Sequence, residues 1–194
     1  MAENDRQKRG RKLLLTLLIV GVVGSIAGIG TFSAFSSTTT NSGNNFAAGT
    51  VYITDNDSNA AMFSVSNAKP GVSYQSCIKV TYLGSLDASV RLYSAGMSGS
   101  LAPYLNVTVE EGSGAAGFGN CTGFASSGTV YNSVAADSFP TAWTGATATG
   151  GTWTTNKNVD YRVTITVANS NAANGGASAL AMNGFSFTWE AQDV

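Results

Sequence analysis

The stretch "VDYRVTITVA", Val159 to Ala168, constrains the fold more than any other. Val159, Tyr161, Val163, Ile165 and Val167 alternate with Asp160, Arg162, Thr164 and Thr166. A period of two puts the first set on one face of a β-strand and the second set on the other. The sequence therefore predicts a strand with an apolar core face and a wet face, and the apolar face needs a second layer to cover it. The same signal recurs in "TVYIT" (residues 50–54), "AMFSVS" (61–66), "CIKVTYL" (77–83), "ASVRLYS" (88–94), "YLNVTVE" (104–110) and "GFSFTWEA" (184–191). Turn chemistry separates the runs. In "AKPG", Pro70 and Gly71 stand where a type II turn wants them, and "LGSLD" divides two more strands. The glycine-rich middle, residues 112–155, reads as long loops with one or two edge strands. Beyond the N-terminus, only "AANGGASAL" (172–180) admits a short helix. The expectation is an all-β chain built as an antiparallel sandwich.

The N-terminus has a different character. "MAENDRQKRGRK" is basic, and Leu13 to Ile29 is an apolar run ending in small residues. That order matches an export signal, with Thr31 at −3 and Ser33 at −1 if cleavage precedes Ala34. The alternative is an uncleaved membrane anchor. The run is short for a span, which takes ~20 apolar residues, and Gly21, Gly24 and Gly28 weaken its helicity. The expected organisation is a signal peptide over 1–33, an extension over 34–49 and a sandwich over 50–194.

Charge and cysteines follow from export. Only 11% of the 194 residues are charged, against a usual ~25%. Arg6, Lys8, Arg9, Arg11 and Lys12 sit in the leader, so five basic residues face nine acidic ones beyond residue 33, a net charge of −4. This is no footprint for nucleic acid. In an oxidising compartment the two cysteines, Cys77 and Cys121, suggest one disulfide, the alternative being two buried thiols.

The search for catalytic groups is mostly negative. The chain has no histidine. That removes H-E-x-x-H zinc sites and any Ser-His-Asp or Cys-His unit. The hydrolase G-x-S-x-G pattern is absent as well. Glu110 and Glu111 are adjacent, so a strand sends them to opposite faces and they form no working pair. "DNDSN" (55–59) resembles part of a calcium loop through Asp55 and Asp57, but it lacks the glycine and the closing glutamate, and a solvated turn is the preferred reading. No cofactor is expected. Trp143 and Trp153 read either as sugar-stacking platforms or as caps on the open end of the sandwich. Asn106-Val107-Thr108 and Asn120-Cys121-Thr122 match the glycosylation triplet, which carries little weight behind a bacterial-looking leader.

The segment that follows the apolar run ties these features together. Gly30-Thr31-Phe32-Ser33, then Ala34-Phe35, then Phe46-Ala47-Ala48-Gly49-Thr50 resemble the cleavage region and first-strand entry of the TasA/camelysin family of bacterial secreted matrix proteins. "SNAKPG" (66–71) is similar to that family's Asn-x-Lys-Pro-Gly turn, "LGSLDASVRL" (83–92) to its Gly-Ser-Leu strand, and "FSFTWEA" (185–191) to its last strand. The resemblance is good over residues 30–92, weak over 93–155 and fair at the end. It implies a jelly-roll-like β-sandwich behind an N-terminal signal-peptide helix, and export through a dedicated signal peptidase. It also implies assembly into fibres of the extracellular matrix or cell surface, together with other matrix proteins. Some members carry a metallopeptidase label, which the missing histidines speak against.

Residues 34–45, "AFSSTTTNSGNN", then gain a role. Thr38, Thr39 and Thr40 are β-branched and no proline interrupts, yet only Phe35 is worth burying. Such a segment cannot offset an ordering cost of ~1–2 kcal/mol per residue by itself. The resemblance suggests that it docks onto another copy's sheet edge as a donor strand, Ala34 leading and Phe35 anchoring. A tail without structure, or a strand folded back on its own sheet, are the alternatives. At the level of function, a fibre subunit stands against a monomeric secreted module that binds cell-wall sugar. Membrane contact is expected only through an uncleaved signal.

Overall fold

The computed structural model describes residues 3–30, 45–170 and 180–194. It divides into two units, Met1–Phe46 and Ala47–Val194. In the first, a helix (α1) runs from Glu3 to Gly30. Its Leu13, Leu14, Leu17, Leu18 and Ile19 are exposed. Among the described residues, no helix is long and apolar enough to cross a membrane. The expected cleavage residues Ser33 and Ala34, the assembly residues Ala34, Phe35, Thr38, Thr39 and Thr40, and most of the expected helix near 172–180 lie outside the described residues.

The second unit is the antiparallel sandwich. Its strands are β1 (Ile53–Asp55), β2 (Ser73–Tyr82), β3 (Ala88–Ala95), β4 (Leu105–Ser113), β5 (Ala125–Ala135), β6 (Thr147–Trp153), β7 (Asn158–Val167) and β8 (Ser186–Asp193). One sheet has five strands in the order β1-β2-β7-β4-β5, and the other has three in the order β6-β3-β8. The alternating strand β7 occupies the middle of the larger sheet, flanked by β2 and β4. Its Tyr161, Val163 and Val167 are buried against Val90, Leu92 and Trp153 of the smaller sheet. At ~25 cal/mol per Å2 of apolar surface removed from water, this two-layer burial is the main stabilising term.

Two expectations about strands need correction. "AMFSVS" is not a strand. Met62 and Phe63 are neighbours that both pack on the core, so the segment cannot keep an alternating pleat. "TVYIT" contributes only the short β1, because Thr50 turns to bond Ser85 and Leu86 instead of a strand partner. The glycine-rich middle does yield two edge strands, β5 and β6.

Local chemistry explains the joints. Val72 N–H donates to Lys69 O at 3.1 Å and Gly71 has φ +76°, which is the turn that Lys69-Pro70-Gly71 was read to make. In β6, Gly150 and Gly151 have φ +72° and +63° and break the register opposite Ser89 and Val90. A Cβ on Gly150 would stand 2.7 Å from the Trp153 indole nitrogen, so only glycine fits this bulge.

Trp153 is fully buried, and its Nε1–H donates to Thr149 O at 2.7 Å. This excludes it as an exposed sugar platform. Trp153→Ala is expected to lower stability by about 3–5 kcal/mol, through lost burial and a cavity in the core. Urea unfolding followed by circular dichroism measures this; a loss below ~1 kcal/mol contradicts the packing described.

Candidate functional site

The two sheets do not match in width, and the mismatch creates the most distinctive site. Among the described residues β8 is an edge strand, paired only with β3. Val194 N–H donates to Asp87 O, which fixes the hydrogen-bonding phase of this pair. By alternation, the backbone groups of Phe187, Trp189 and Ala191 point away from β3, along the free edge. The side chains of the same three residues pack on the core while staying only half-buried. β2 is also partly open: β1 covers it only from Val80 to Tyr82. On that side, Cys77 O accepts Gly119 N–H at 2.8 Å, and Lys79 N–H donates to Asn56 Oδ1 at 2.8 Å.

Where β8 begins, an apolar cleft of about 500 Å3 opens. Tyr74, Leu105, Ile165 and Val167 wall it from the larger sheet, and Phe185 and Phe187 from the smaller one. The Ala60–Val65 segment runs across it. Phe63 stands 6.5 Å from Phe187, which stands 5.9 Å from Phe185 in an edge-on contact. A free strand edge beside a row of half-covered aromatics is what strand addition requires.

The opposite side of the sandwich is tied shut. Glu111 points inward at the end of β4, where its Oε2 accepts the Thr149 hydroxyl and, at 2.7 Å, the Gly150 N–H of the other sheet. Thr149 Oγ1 also lies 3.1 Å from the Tyr161 hydroxyl. Burial pushes the Tyr161 phenol far above its ordinary pKa, so it stays neutral. Glu110 faces the other way, holding Arg162 through Nε at 2.8 Å and Nη2 at 2.6 Å. The two adjacent glutamates thus lie on opposite faces, as their spacing requires.

A disulfide joins Cys77 of β2 to Cys121, with the Cα atoms 5.2 Å apart. It draws the Gly114–Phe124 loop over the outer face of the larger sheet, where the Arg162 guanidinium lies 4.8 Å from the Phe124 ring centre. Asp160, expected on a wet face, is therefore 2% exposed. Ala115 N–H donates to its Oδ2 at 2.9 Å, and Lys79 Nζ stands 3.8 Å from its Oδ1. Alternation alone could not show this covering loop; the cysteine pair was the signal that could have. At the other end, Asp55 and Asp57 spend carboxylate oxygens on their own turn. Asp57 N–H donates to Asp55 at 3.0 Å and Asn59 N–H to Asp57 at 2.6 Å. Desolvation lifts the Asp55 carboxyl above its ordinary pKa. This is turn chemistry.

With this geometry, a family comparison bears on the first half of the chain. Residues 10–96 match the family described as camelysin metallo-endopeptidase. The matched region takes in most of α1, the 31–44 segment and strands β1 to β3, and it contains the stretches on which the TasA/camelysin resemblance was read. No curated protein matches the chain.

The family's name implies a metal, and the donor set here does not suit one. A catalytic zinc takes three protein ligands. The chain has no histidine, and both cysteines are consumed by the disulfide. Among the described residues, no three of His, Cys, Asp and Glu come together.

The disulfide gives a direct test. The intact mass of the oxidised protein should rise by about two daltons on reduction, the mass of two hydrogens. Replacing both cysteines by serine should cost ~3–4 kcal/mol in stability, from the loop it no longer closes. Two alkylatable thiols in the unreduced, unfolded protein contradict the bond.

Proposed function

We propose that this protein is an exported structural subunit that polymerises head to tail into extracellular fibres, and is not a peptidase. The observation that carries the proposal is the free edge of β8 beside the apolar cleft. An edge of this kind is a standing invitation to another strand, and natural proteins usually block it with charge, proline or a covering loop. Here it presents Phe187, Trp189 and Ala191, with Asp193 at its far end.

The proposed guest is residues 34–45 of the next copy. At ~3.3 Å per residue, an extended segment of that length is longer than β8, which has 8 residues. Backbone hydrogen bonds along β8 would hold it in register, and Phe35 would enter the cleft against Phe185 and Phe187. The contact joins unlike surfaces, so it propagates instead of closing, and a filament results. Cleavage before Ala34 by a signal peptidase would free the guest strand and license assembly. The family match over residues 10–96, which spans this segment, supports the reading. Secretion to the matrix or cell surface, and contact with other matrix proteins, belong to the same proposal. The lack of a fitting metal-ligand set among the described residues supports the non-enzymatic part.

N-terminal sequencing of the secreted product should begin at Ala34. Deleting residues 34–45 should leave a folded sandwich that makes no filaments under electron microscopy. Phe35→Asp should act alike, because a charge must be desolvated where an apolar anchor belongs. Normal filaments from the deletion variant contradict the donor strand. A deletion variant that fails to fold instead places the segment in its own sheet.

A further inference from the structure

The outer face of the three-stranded sheet carries a second constellation, remote in chemistry from the cleft. Val90 and Leu92 are fully buried, so the alternate residues of β3, Arg91 and Tyr93, point outward. Glu190 lies directly across from Arg91 in β8. An Arg and a Glu facing each other across an antiparallel pair ordinarily form a salt bridge. These two do not. Arg91 turns away and donates through Nη1 to the carbonyls of Trp143 at 3.3 Å and Ala146 at 3.4 Å. Its guanidinium lies 4.8 Å from the Trp143 ring centre. On its other side the partner in β6 is Ala148, too small to obstruct the indole. The half-exposed Trp143 is thus backed by a cation on one face, and what remains accessible of the ring is its other face and edge.

Glu190, released from Arg91, keeps only neutral partners. Tyr93 Oη donates to its Oε2 at 2.7 Å, and Gln192 Nε2 donates to its Oε1 at 2.8 Å. These bonds keep the carboxylate ionised, holding its pKa below the ordinary value, with Gln192 the larger cause and Tyr93 the next. The phenol, carboxylate and primary amide thus form one hydrogen-bonded row on the same outer face as Arg91, against which Trp143 rests.

We propose that this face, with Trp143, Tyr93, Glu190 and Gln192, is a binding platform for pyranose glycans. The aromatic ring, stacked on the Arg91 guanidinium, offers a surface to the C–H face of a sugar. The carboxylate accepts from a pair of vicinal hydroxyls, and the amide and phenol each donate or accept at the rim. The platform's one cation lies against the ring and is committed to carbonyls, so phosphate and nucleic acid find no partner here. The site is on the opposite face of β8's sheet from the cleft, and it is independent of the fibre reading: a filament built through the β8 edge would display one platform per subunit.

The experiment is a titration of the full chain with cellotetraose and with the tetramer of N-acetylglucosamine, followed by NMR of the indole and side-chain amide signals. Saturable shifts are expected at the Trp143 indole and the Gln192 amide, with the buried Trp153 indole unmoved. Trp143→Ala should weaken binding by about tenfold or more, and Trp143→Tyr should restore much of it. Glu190→Gln should weaken binding while leaving the Trp153 signal in place, which reports an intact core. The proposal is overturned if neither sugar shifts the Trp143 indole at about 10 mM. It is equally overturned if the Gln192 amide shift persists undiminished in a folded Trp143→Ala variant.

Discussion

A five-stranded sheet covered by a three-stranded one is the constraint on which the rest depends. The larger sheet presents the apolar faces of β2, β7 and β4, while the smaller presents only β6, β3 and β8. On the β5–β6 side the layers are joined by the Glu111 carboxylate, which reaches Thr149 and Gly150 across the gap. On the β8 side the Tyr161 and Trp189 rings meet at 5.2 Å, but no carboxylate bridges the layers among the described residues. There the core is finished by Phe63, Phe185 and Phe187, all half-buried, and by the Ala60–Val65 segment, which crosses the cleft without joining either sheet. The hydrophobic surface left under-covered there and the unpaired backbone of β8 are two consequences of one geometric deficit. A strand added to β8 corrects both at once.

The closed parts of the molecule are correspondingly over-determined. Trp153 is fully buried and hydrogen-bonded, its ring made possible by the Gly150–Gly151 bulge. The disulfide fastens a glycine-rich loop over the outer face of β2 and β7 and shuts Asp160 from water. That loop also caps β2, with Gly119 bonded to Cys77 O, so the larger sheet is blunted where β1 stops short. Edge protection on β2 and its absence on β8 give the sandwich a polarity, and a head-to-tail polymer needs one sticky edge rather than two.

Much of this was legible in the sequence, for definite reasons. The alternation in 159–167 set β7 and its core face, and the Lys69-Pro70-Gly71 turn appeared where its residues demand it. What escaped was tertiary. Asp160 obeys the alternation yet is buried, because a loop some 40 residues earlier in the chain folds over it; no local pattern encodes that. "AMFSVS" has a strand's composition, but Met62 and Phe63 both serve the core. The free edge of β8 was equally invisible, because "FSFTWEA" reads the same whether it has one neighbour or two. Of the two tryptophans weighed as platforms, Trp153 proved internal, and only Trp143 reached the surface, with Arg91 beneath it.

Amide hydrogen exchange on the isolated subunit and on assembled filaments tests the central claim most directly. The outward-facing amides of Phe187, Trp189 and Ala191 have no strand partner among the described residues and should exchange quickly in the isolated subunit. In filaments they should become protected, while the amides of β7, already paired on both sides, change little. Fast exchange at these three positions in the filament as well would contradict the account, since the β8 edge would then be as free in the polymer as in the monomer.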